Sequence, residues 1–495
     1  MKRRGNDSVK TAYKESMDLR EYIVLGVCIA FYMTFPLMDG PVWCVDSREY
    51  VTMGITREPL YPCFLAVCRR IAGMLHVDAL MTAVVLQSLF AGVAAWYAGH
   101  VVRGVKNGSF ILQAATVFFQ FAVTLLCRFA ANRKSAYTDC ILTEGLGFSL
   151  FVFFILYLFL YIYKEEKKYL CLTLLCSFLL VSLRKQMMIT VLVAGGVFFC
   201  YVLLKKRKAL RFLCLCLMLF GVLVFSSLYD RAYQYTVRGV WMEHSGNSMG
   251  ILCTLLYSSD VERDRGLFAD KVVQGLYEQI MEQAKEQELL YPFAGQGWMA
   301  VSTHYADSYD DIGYGIINPV VEEYLTQNYQ LSETERAMKY DEICGEMSRT
   351  LFRQDKKPMF QVYIYNTAKG FVNSVAQANP FLAVYALGAY CIAGGAAWYL
   401  ASQRKRMRGE MQKKAVRAKA WDDYNRQIAQ IEASLCFTFV TFTGIAVNAL
   451  VVGLFIFAQP RYMVYGMGLF YTAVSMMAYD IWNGFRIFRE SRQAP

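Results

Sequence analysis

Apolar residues in this chain are gathered into blocks of about 20, separated by short polar stretches. A block of that length, wound as an α-helix, crosses the roughly 30 Å hydrocarbon layer of a membrane. The pattern predicts about ten membrane spans. Two of them are weakly marked, because 169–183 is short and 463–482 is dotted with polar residues. The predicted spans are residues 21–39, 79–101, 109–129, 143–163, 169–183, 187–204, 211–229, 381–402, 435–457 and 463–482.

The composition fits this pattern. The 495-residue chain is 56% hydrophobic and only 18% charged, which is unlike several soluble domains in series. The predicted fold class is therefore an all-α polytopic membrane protein. The first apolar block lacks a small-residue cleavage site and leads straight into a loop, so we expect a retained signal-anchor.

The spacing of the apolar blocks divides the chain into three parts. Apolar positions in 268–290 and 333–353 recur with helical spacing, so the long polar region between the seventh and eighth spans is predicted to be mostly helical. Aromatic and acidic residues in 293–298 and 305–311 suggest turns that either contact carbohydrate or pack on a helical cap. The predicted parts are a membrane core at 1–229, an exoplasmic domain at 230–380 and a three-span region at 381–495 with a basic cytoplasmic loop at 403–434.

The distribution of charge predicts the orientation. With the N-terminus inside, the inner segments hold 28 of the 51 Lys and Arg residues, whereas 230–380 is net acidic. Basic inner loops are the usual bias of plasma-membrane proteins, so both termini are predicted to be cytoplasmic. Anionic lipid at the inner surface accounts for the net charge of +11, and no nucleic-acid partner is needed.

Cysteine and histidine patterns give no sign of a cofactor site. Most of the 15 cysteines fall within predicted spans, where a free thiol behaves as a small apolar group. The others show no metal-like spacing, and only four histidines are present. We therefore predict no disulfide framework and no resident cofactor, although the pattern leaves a divalent metal open. The cysteines outside the spans are Cys44, Cys63, Cys68, Cys140, Cys253 and Cys344.

The first loop carries the candidate chemistry. Asp46 and Glu49 precede Tyr50, and the motif Arg57-x-Pro59-Leu60-Tyr61-Pro62 follows. A carboxylate beside the bilayer costs free energy unless it is paired or used. One interpretation makes Asp46 a helix N-cap, with Glu49 completing a capping box. The two prolines are expected to bracket a turn, before an amphipathic helix along the outer surface.

Several cations lie on the predicted outer side, against the usual bias, and therefore need a reason to be there. A phosphate group at the outer surface would be one, since arginine grips phosphate through two nitrogens. For Arg128 and Arg184, snorkelling or a local ion pair is an equally good explanation. The cations are Arg57, Arg128, Arg133, Lys134, Arg184, Lys185 and Arg461.

The first-loop motif resembles the membrane GT-C glycosyltransferases, in particular the protein O-mannosyltransferase and lipid A aminoarabinose transferase branch. Three weaker features are similar too, namely the acidic entry to the fourth span, the Arg-Tyr pair before the last span, and the segment from His244 to Tyr257. The common paired acidic residues of the family read Asp46-Ser47 here, and the long region after the seventh span matches no subfamily. The weaker features are Asp139 to Glu144, Gln459-Pro460-Arg461-Tyr462, and His244-Ser-Gly-Asn247 followed by Leu255-Leu256-Tyr257.

The resemblance implies an inverting transfer of a sugar from a polyprenyl-phosphate donor to a glycan, lipid or protein acceptor. Such a reaction needs one carboxylate to accept the acceptor's proton and positive charge beside the departing phosphate. The resemblance makes Asp46 the expected base, with Glu49 as the alternative. It implies substrate-binding roles for Tyr50, Arg57, Tyr61, Arg133, Lys134, Glu144, Arg184, Arg461 and Tyr462.

Two other classes remain open at this stage. A lipid or polysaccharide transporter would also be polytopic, but internal symmetry and ionisable residues at mid-membrane would be expected of it. A non-catalytic membrane scaffold would tolerate neutral replacements of Asp46. The charges in the outer loops favour the enzyme.

Overall fold

The computed structural model describes residues 18–130, 135–413 and 418–493, and these residues form an almost wholly helical protein. Apart from one isolated bridge between Val42 and Cys140, they contain no β-structure. The first part of the chain contains α1 (Leu19–Asp39), α2 (Ser47–Val51), α3 (Leu60–Leu75), α4 (Ala79–Val105), α5 (Phe110–Ala130), α6 (Glu144–Lys164), α7 (Lys167–Leu183), α8 (Ile189–Phe198) and α9 (Ala209–Arg238).

Two further groups of helices follow. A 3₁₀ turn at Lys185–Met188 and a π-helical segment at Phe199–Lys205 flank α8, and another π-helical segment occurs at Asp311–Ile317. The middle group is α10 (Asn247–Tyr257), α11 (Val261–Asp264), α12 (Lys271–Glu286), α13 (Trp298–Asp310), α14 (Asn318–Asn328), α15 (Glu333–Leu351) and α16 (Lys356–Asn373). The last group is α17 (Pro380–Lys413), α18 (Ala418–Phe455), α19 (Pro460–Met463) and α20 (Met467–Gln493).

Eight helical segments within the described ranges are long and apolar enough to cross a membrane, so the chain is an all-α, multi-pass membrane protein. They coincide with eight of the ten predicted spans. The other two predicted spans are also helical, as α7 and α20, but α7 has only 17 residues and α20 is more polar. The eight segments are Leu19–Asp39, Ala79–Val105, Phe110–Arg128, Glu144–Lys164, Lys185–Lys205, Ala209–Arg238, Pro380–Gly409 and Tyr424–Phe455.

Both of the more weakly marked helices run the length of the bundle. The start of α6 and the end of α7 meet, because Arg184 donates to Glu144 at 2.9 Å. Halfway along α20, Asp480 accepts two hydrogen bonds of 2.7 Å from Lys106, which follows α4. Lys106 and Asp480 are both buried, so this ion pair fixes α20 at the end of the bundle opposite the first loop.

The middle group forms a hydrophobic core of its own, and we call residues 247–373 the inserted domain. Leu276 and Ile280 of α12 pack there with Ile343 of α15, as the amphipathic spacing predicted. Val272, also on α12, is 47% exposed. Phe457, from the loop after α18, joins this core and ties the inserted domain to the bundle.

The predicted basic loop at 403–434 is largely occupied by the ends of two long helices. α17 continues as a helix to Lys413, and α18 begins at Ala418. Arg404 and Arg408 approach Glu432 across the two helices. Arg404 and Arg408 therefore lie on the helical extension of α17.

Candidate functional site at the first loop

The first loop is fixed to the loop before α6 by a short seam of hydrogen bonds. The backbone N–H of Val42 donates to Asp139 at 2.8 Å, and that of Ile141 donates back to Val42 at 3.0 Å. The buried Ser47 hydroxyl donates to the Ile141 carbonyl at 2.9 Å and accepts from the Cys44 N–H at 2.8 Å. These contacts set the position of the chain on which the candidate carboxylates lie.

Asp46 does not cap α2, so the capping-box interpretation is wrong. An N-cap residue usually has extended backbone and accepts a hydrogen bond from the first turn. Asp46 has helical backbone angles, φ −79° and ψ −12°, and its side chain accepts no such bond. Its Oδ1 accepts instead from Arg57 Nη2 at 2.9 Å. Asp46 therefore forms an ion pair with Arg57 and does not cap α2.

Arg57 lies between two carboxylates. Its Nε donates to Glu49 Oε2 at 2.6 Å, and the Thr56 hydroxyl donates to the same oxygen at 2.5 Å. The side chain of Glu49 is 47% exposed, whereas that of Asp46 is 26% exposed. Glu49 therefore has two partners on the more open side, and Asp46 lies deeper with one oxygen held by Arg57.

The two tyrosines of the motif lie behind this ion pair and do not line open space. Tyr50 is buried beneath the guanidinium of Arg57, whose Cζ lies 5.0 Å from the ring centroid. Tyr61 is fully buried and donates to Gln87 at 2.7 Å. A side chain on Gly145 would clash with Gln87, because its Cβ would lie 2.6 Å from the Gln87 amide. The position of Tyr61 makes it a support for the loop.

The prolines begin a helix, contrary to the expected turn. Pro59 is the N-cap of α3, and Pro62 lies in its first turn. Proline is tolerated there because the first backbone N–H groups of a helix have no partner within the helix. Pro59 and Pro62 therefore fix the start of α3 immediately after Arg57.

A second cluster forms where α6, α7 and α19 meet. Glu144, which is buried, accepts from Arg184 at 2.9 Å and lies 4.0 Å from the Nε of Arg461. The guanidinium carbons of both arginines lie 4.6 Å from the centroid of the Tyr462 ring. Arg461 also donates to the Tyr462 hydroxyl, but its buried Nε has no hydrogen-bond partner in the described part of the chain. Two arginines thus share one close carboxylate.

The two clusters face each other, and a residue of the inserted domain faces both. The Asp310 side chain is partly accessible to solvent, and partial desolvation by the surrounding protein raises its pKa. Arg461 acts to lower that pKa, and Asp46 acts to raise it. The pKa of Tyr314 is raised by burial of its hydroxyl and by Asp46, against the effect of Arg57. These mutual electrostatic effects place Asp46, Arg57, Arg461, Asp310 and Tyr314 in one solvent-accessible neighbourhood, which we call the cleft.

The π-helical segment Asp311–Ile317 aims the polar residues of the inserted domain. Ile312 and Ile316 are buried in its core, while Tyr314 is 58% exposed. A π-helical turn contains more residues than an α-turn, so it shifts which side chains share a face. The predicted turn at 305–311 is helical, and its Tyr305 and Tyr309 are buried, so Asp310 and Tyr314 are the side chains that reach the cleft.

Arg128 is neutralised by local carboxylates. It donates to both oxygens of Asp39 and lies 3.7 Å from Asp139. Burial raises the pKa of Asp139 to about 6. Arg128 therefore has the ion-pair explanation that the sequence had left open.

Lys185 is also paired, through a 2.5 Å contact with Glu243. Partial burial alone would raise the pKa of Glu243, but Lys185 and the Ser227 hydroxyl hold it at about 2. Arg133 and Lys134 lie outside the described residues. Of the seven predicted cations, the structure brings Arg57, Arg184 and Arg461 to the cleft.

A cavity of about 70 Å³ is lined by Glu58 together with other polar and apolar side chains. His244 makes a 2.6 Å contact through Nδ1 with Asp230, and its Nε2 lies 3.8 Å from Glu58. Burial lowers the pKa of His244, but these two carboxylates outweigh burial and leave the pKa raised. The cavity is lined by Glu58, Pro59, Val181, Ser182, Lys185, Met188, Leu223, Ser226, Ser227, Asp230 and His244.

The arrangement of the cleft suits an anion and a hydroxyl group side by side. Arg184 and Arg461 provide positive charge with an unsatisfied donor, and Asp46 provides a carboxylate that can accept a proton. No group of three or more metal-binding side chains occurs among the residues that the structure describes. Comparison of the chain with protein-family models gives no match, and comparison with curated proteins gives none either.

Proposed function

We propose that this protein is an inverting glycosyltransferase that moves a sugar from a polyprenyl-phosphate donor to a hydroxyl-bearing acceptor at the outer face of the membrane. The proposal combines the resemblance of the first-loop motif with the chemistry of the cleft. The acceptor is a glycan, a lipid or a protein, and the lipid-linked sugar is a co-substrate.

The observation that carries the proposal is the pair of arginines around Tyr462. Arg184 and Arg461 have Glu144 as their close counter-ion, and the buried Nε of Arg461 has no partner in the described ranges. A phosphate oxygen would satisfy that donor and balance the remaining charge. In a transfer reaction, the same contacts would stabilise the departing polyprenyl phosphate.

Asp46 is better suited than Glu49 to act as the base. Both carboxylates raise the pKa of Tyr314, but Asp46 also raises that of Asp310. The Glu49 carboxylate is in addition occupied by Thr56 and Arg57. Asp46 would accept the proton of the acceptor hydroxyl as the new glycosidic bond forms. Arg57 would orient the carboxylate through Oδ1.

The inserted domain would supply the acceptor side. Tyr314 presents an exposed ring and Asp310 a carboxylate, which suit the apolar face and the hydroxyls of a sugar. The carboxylates of Asp310 and Asp46 would repel an anionic acceptor, so a neutral acceptor is proposed. The associated topology has ten spans, counting α7 and α20, in the plasma membrane, with both termini cytoplasmic.

The direct test is to incubate the purified full-length protein with a panel of polyprenyl-phosphate sugars and neutral acceptors. We expect loss of one glycosylated lipid, release of polyprenyl phosphate and appearance of a glycosylated acceptor with the opposite anomeric configuration. A parallel assay in proteoliposomes measures movement of the intact lipid. Movement without bond cleavage would support a transporter and contradict the proposal, as would the absence of donor consumption across the panel.

A further inference from the structure

Two cysteines meet at the seam between the first loop and the loop before α6. The Sγ atoms of Cys44 and Cys140 are 3.7 Å apart, although 96 positions separate them in the chain. Hydrogen bonds on both sides of Val42 hold the two backbones in register beside this contact. Ser47 reinforces the seam by donating to the carbonyl of Ile141. The chain thus brings two thiols together from distant segments and holds them there.

The two sulfur atoms are in non-bonded contact, within reach of a bond. A disulfide has a sulfur–sulfur length of about 2.05 Å, so the two sulfurs need to approach by only about 1.7 Å. Rotation of side chains supplies movement of that size without displacing the backbone. Cys44 is partly exposed and Cys140 is fully buried, so an oxidant in solution meets Cys44 first.

We propose that Cys44 and Cys140 form a disulfide bond on the exoplasmic side of the membrane. The oxidant is another disulfide, either a small molecule or a thiol oxidase of the oxidising compartment. The proposal depends on the predicted outward orientation of the first loop, and it is independent of the transferase activity.

The exchange takes place in two steps. The Cys44 thiolate attacks one sulfur of the incoming disulfide, forming a mixed disulfide and releasing one thiolate. Cys140 then loses its proton and attacks the Cys44 sulfur, so that the intramolecular bond forms and the second thiolate leaves. The two cysteine protons are taken up by the two released thiolates. The neighbouring Cys44 thiol and burial raise the pKa of Cys140, and burial remains after Cys44 has formed the mixed disulfide. The second step is therefore expected to be the slower one.

The bond would join the two halves of the cleft covalently. Asp46 follows Cys44 by two residues, and Glu144 follows Cys140 by four. A link between these segments fixes the spacing between the carboxylate of the first loop and the arginine cluster around Glu144. The disulfide would therefore be a covalent modification that holds the two segments of the candidate site together.

The test is differential alkylation of the full-length protein in membranes from expressing cells. Membranes are quenched in acid and denatured in the presence of unlabelled N-ethylmaleimide, which blocks free thiols and is the first label. They are then reduced and treated with isotopically labelled N-ethylmaleimide, the second label, before peptide mass spectrometry. We expect Cys44 and Cys140 to carry the second label and Cys63, which is similarly accessible, to carry the first. First label on both Cys44 and Cys140 would overturn the proposal.

A conservative variant distinguishes protection of Cys140 by a disulfide from its protection by burial. In Cys44→Ala, Cys140 should carry the first label, because its partner is gone and denaturation exposes it. Second label on Cys140 in this variant would show another partner and overturn the assignment. With the reduced, purified wild type, oxidised glutathione should lower the titratable thiols by two without adding glutathione mass. Stable glutathione adducts on Cys44 would also overturn it.

Discussion

Replacing Asp46 by Asn removes the carboxylate charge while keeping nearly the same shape and an oxygen to accept from Arg57. If Asp46 is the base, this change removes the group that accepts the proton from the acceptor hydroxyl. An asparagine amide cannot take up that proton at neutral pH. Glu49 remains in the variant, so the same experiment separates the two candidate carboxylates.

The expected effects on rate and on stability differ in size. A positioned general base contributes about 10²–10⁴-fold to the rate, which corresponds to about 3–5 kcal/mol in the barrier. The Asp46–Arg57 pair is partly exposed, with side chains 26% and 20% accessible, so its loss should cost about 1 kcal/mol or less in stability. Activity should therefore fall far more than the melting temperature.

The assay is the initial rate of sugar transfer, measured beside thermal unfolding in the same detergent. Asp18→Asn is the matched control, because Asp18 pairs with Arg103 at 2.7 Å at the opposite end of α1. Glu49→Gln should reduce the rate by less than Asp46→Asn does. Retention by Asp46→Asn of more than about a tenth of the wild-type rate would fall outside the range for a general base and refute this role.

Four other changes test separate parts of the structure. Arg461→Ala should raise KM for the lipid donor more than for the acceptor in steady-state assays, and equal increases would count against phosphate binding. Tyr314→Ala should raise KM for the acceptor and leave hydrolysis of the donor by water unchanged; a loss of hydrolysis would contradict an acceptor role. The raised pKa of His244 gives stability that is present below its ordinary value of 6.5 and is lost as the pH rises through the folded value. Melting of His244→Gln should therefore differ from wild type more at pH 6 than at pH 9, and the reverse order would refute this assignment. Gln87→Leu removes three buried hydrogen bonds of 2.7–3.0 Å and should cost about 3 kcal/mol or more in unfolding measurements; a loss below about 1 kcal/mol would show that other groups hold the seam.

The spans could be predicted because the physical requirement is local. Twenty apolar residues in a row suffice, and this is why eight predicted spans coincide with helices that meet the criterion. The hydropathy pattern marks a span most weakly where contacts with other helices make up for its shorter or more polar sequence. The short α7 ends at Arg184, which pairs with Glu144, and the more polar α20 contains Asp480, which pairs with Lys106. Neither partner is visible in the hydropathy of the segment itself.

The sequence indicated residues that the structure brings together, but it did not indicate their partners. It pointed to Asp46, Arg57 and Arg461, yet it also offered a local cap for Asp46. The cap failed because a guanidinium eleven residues away offers a charged partner. Tyr314 was missed because a π-helical segment shifts the helical phase, so the ordinary periodicity does not show which side chains face the cleft.

Two ion pairs, one before α20 and one halfway along it, limit how this protein can vary. Arg461 of α19 meets Glu144, and Asp480 in the middle of α20 meets Lys106. Each added residue would rotate the helix beyond it by about 100° and lengthen it by about 1.5 Å. An insertion between the two contacts would therefore turn Asp480 away from Lys106 or pull Arg461 from the cleft. The number of residues in this stretch is thus more tightly constrained than their identities.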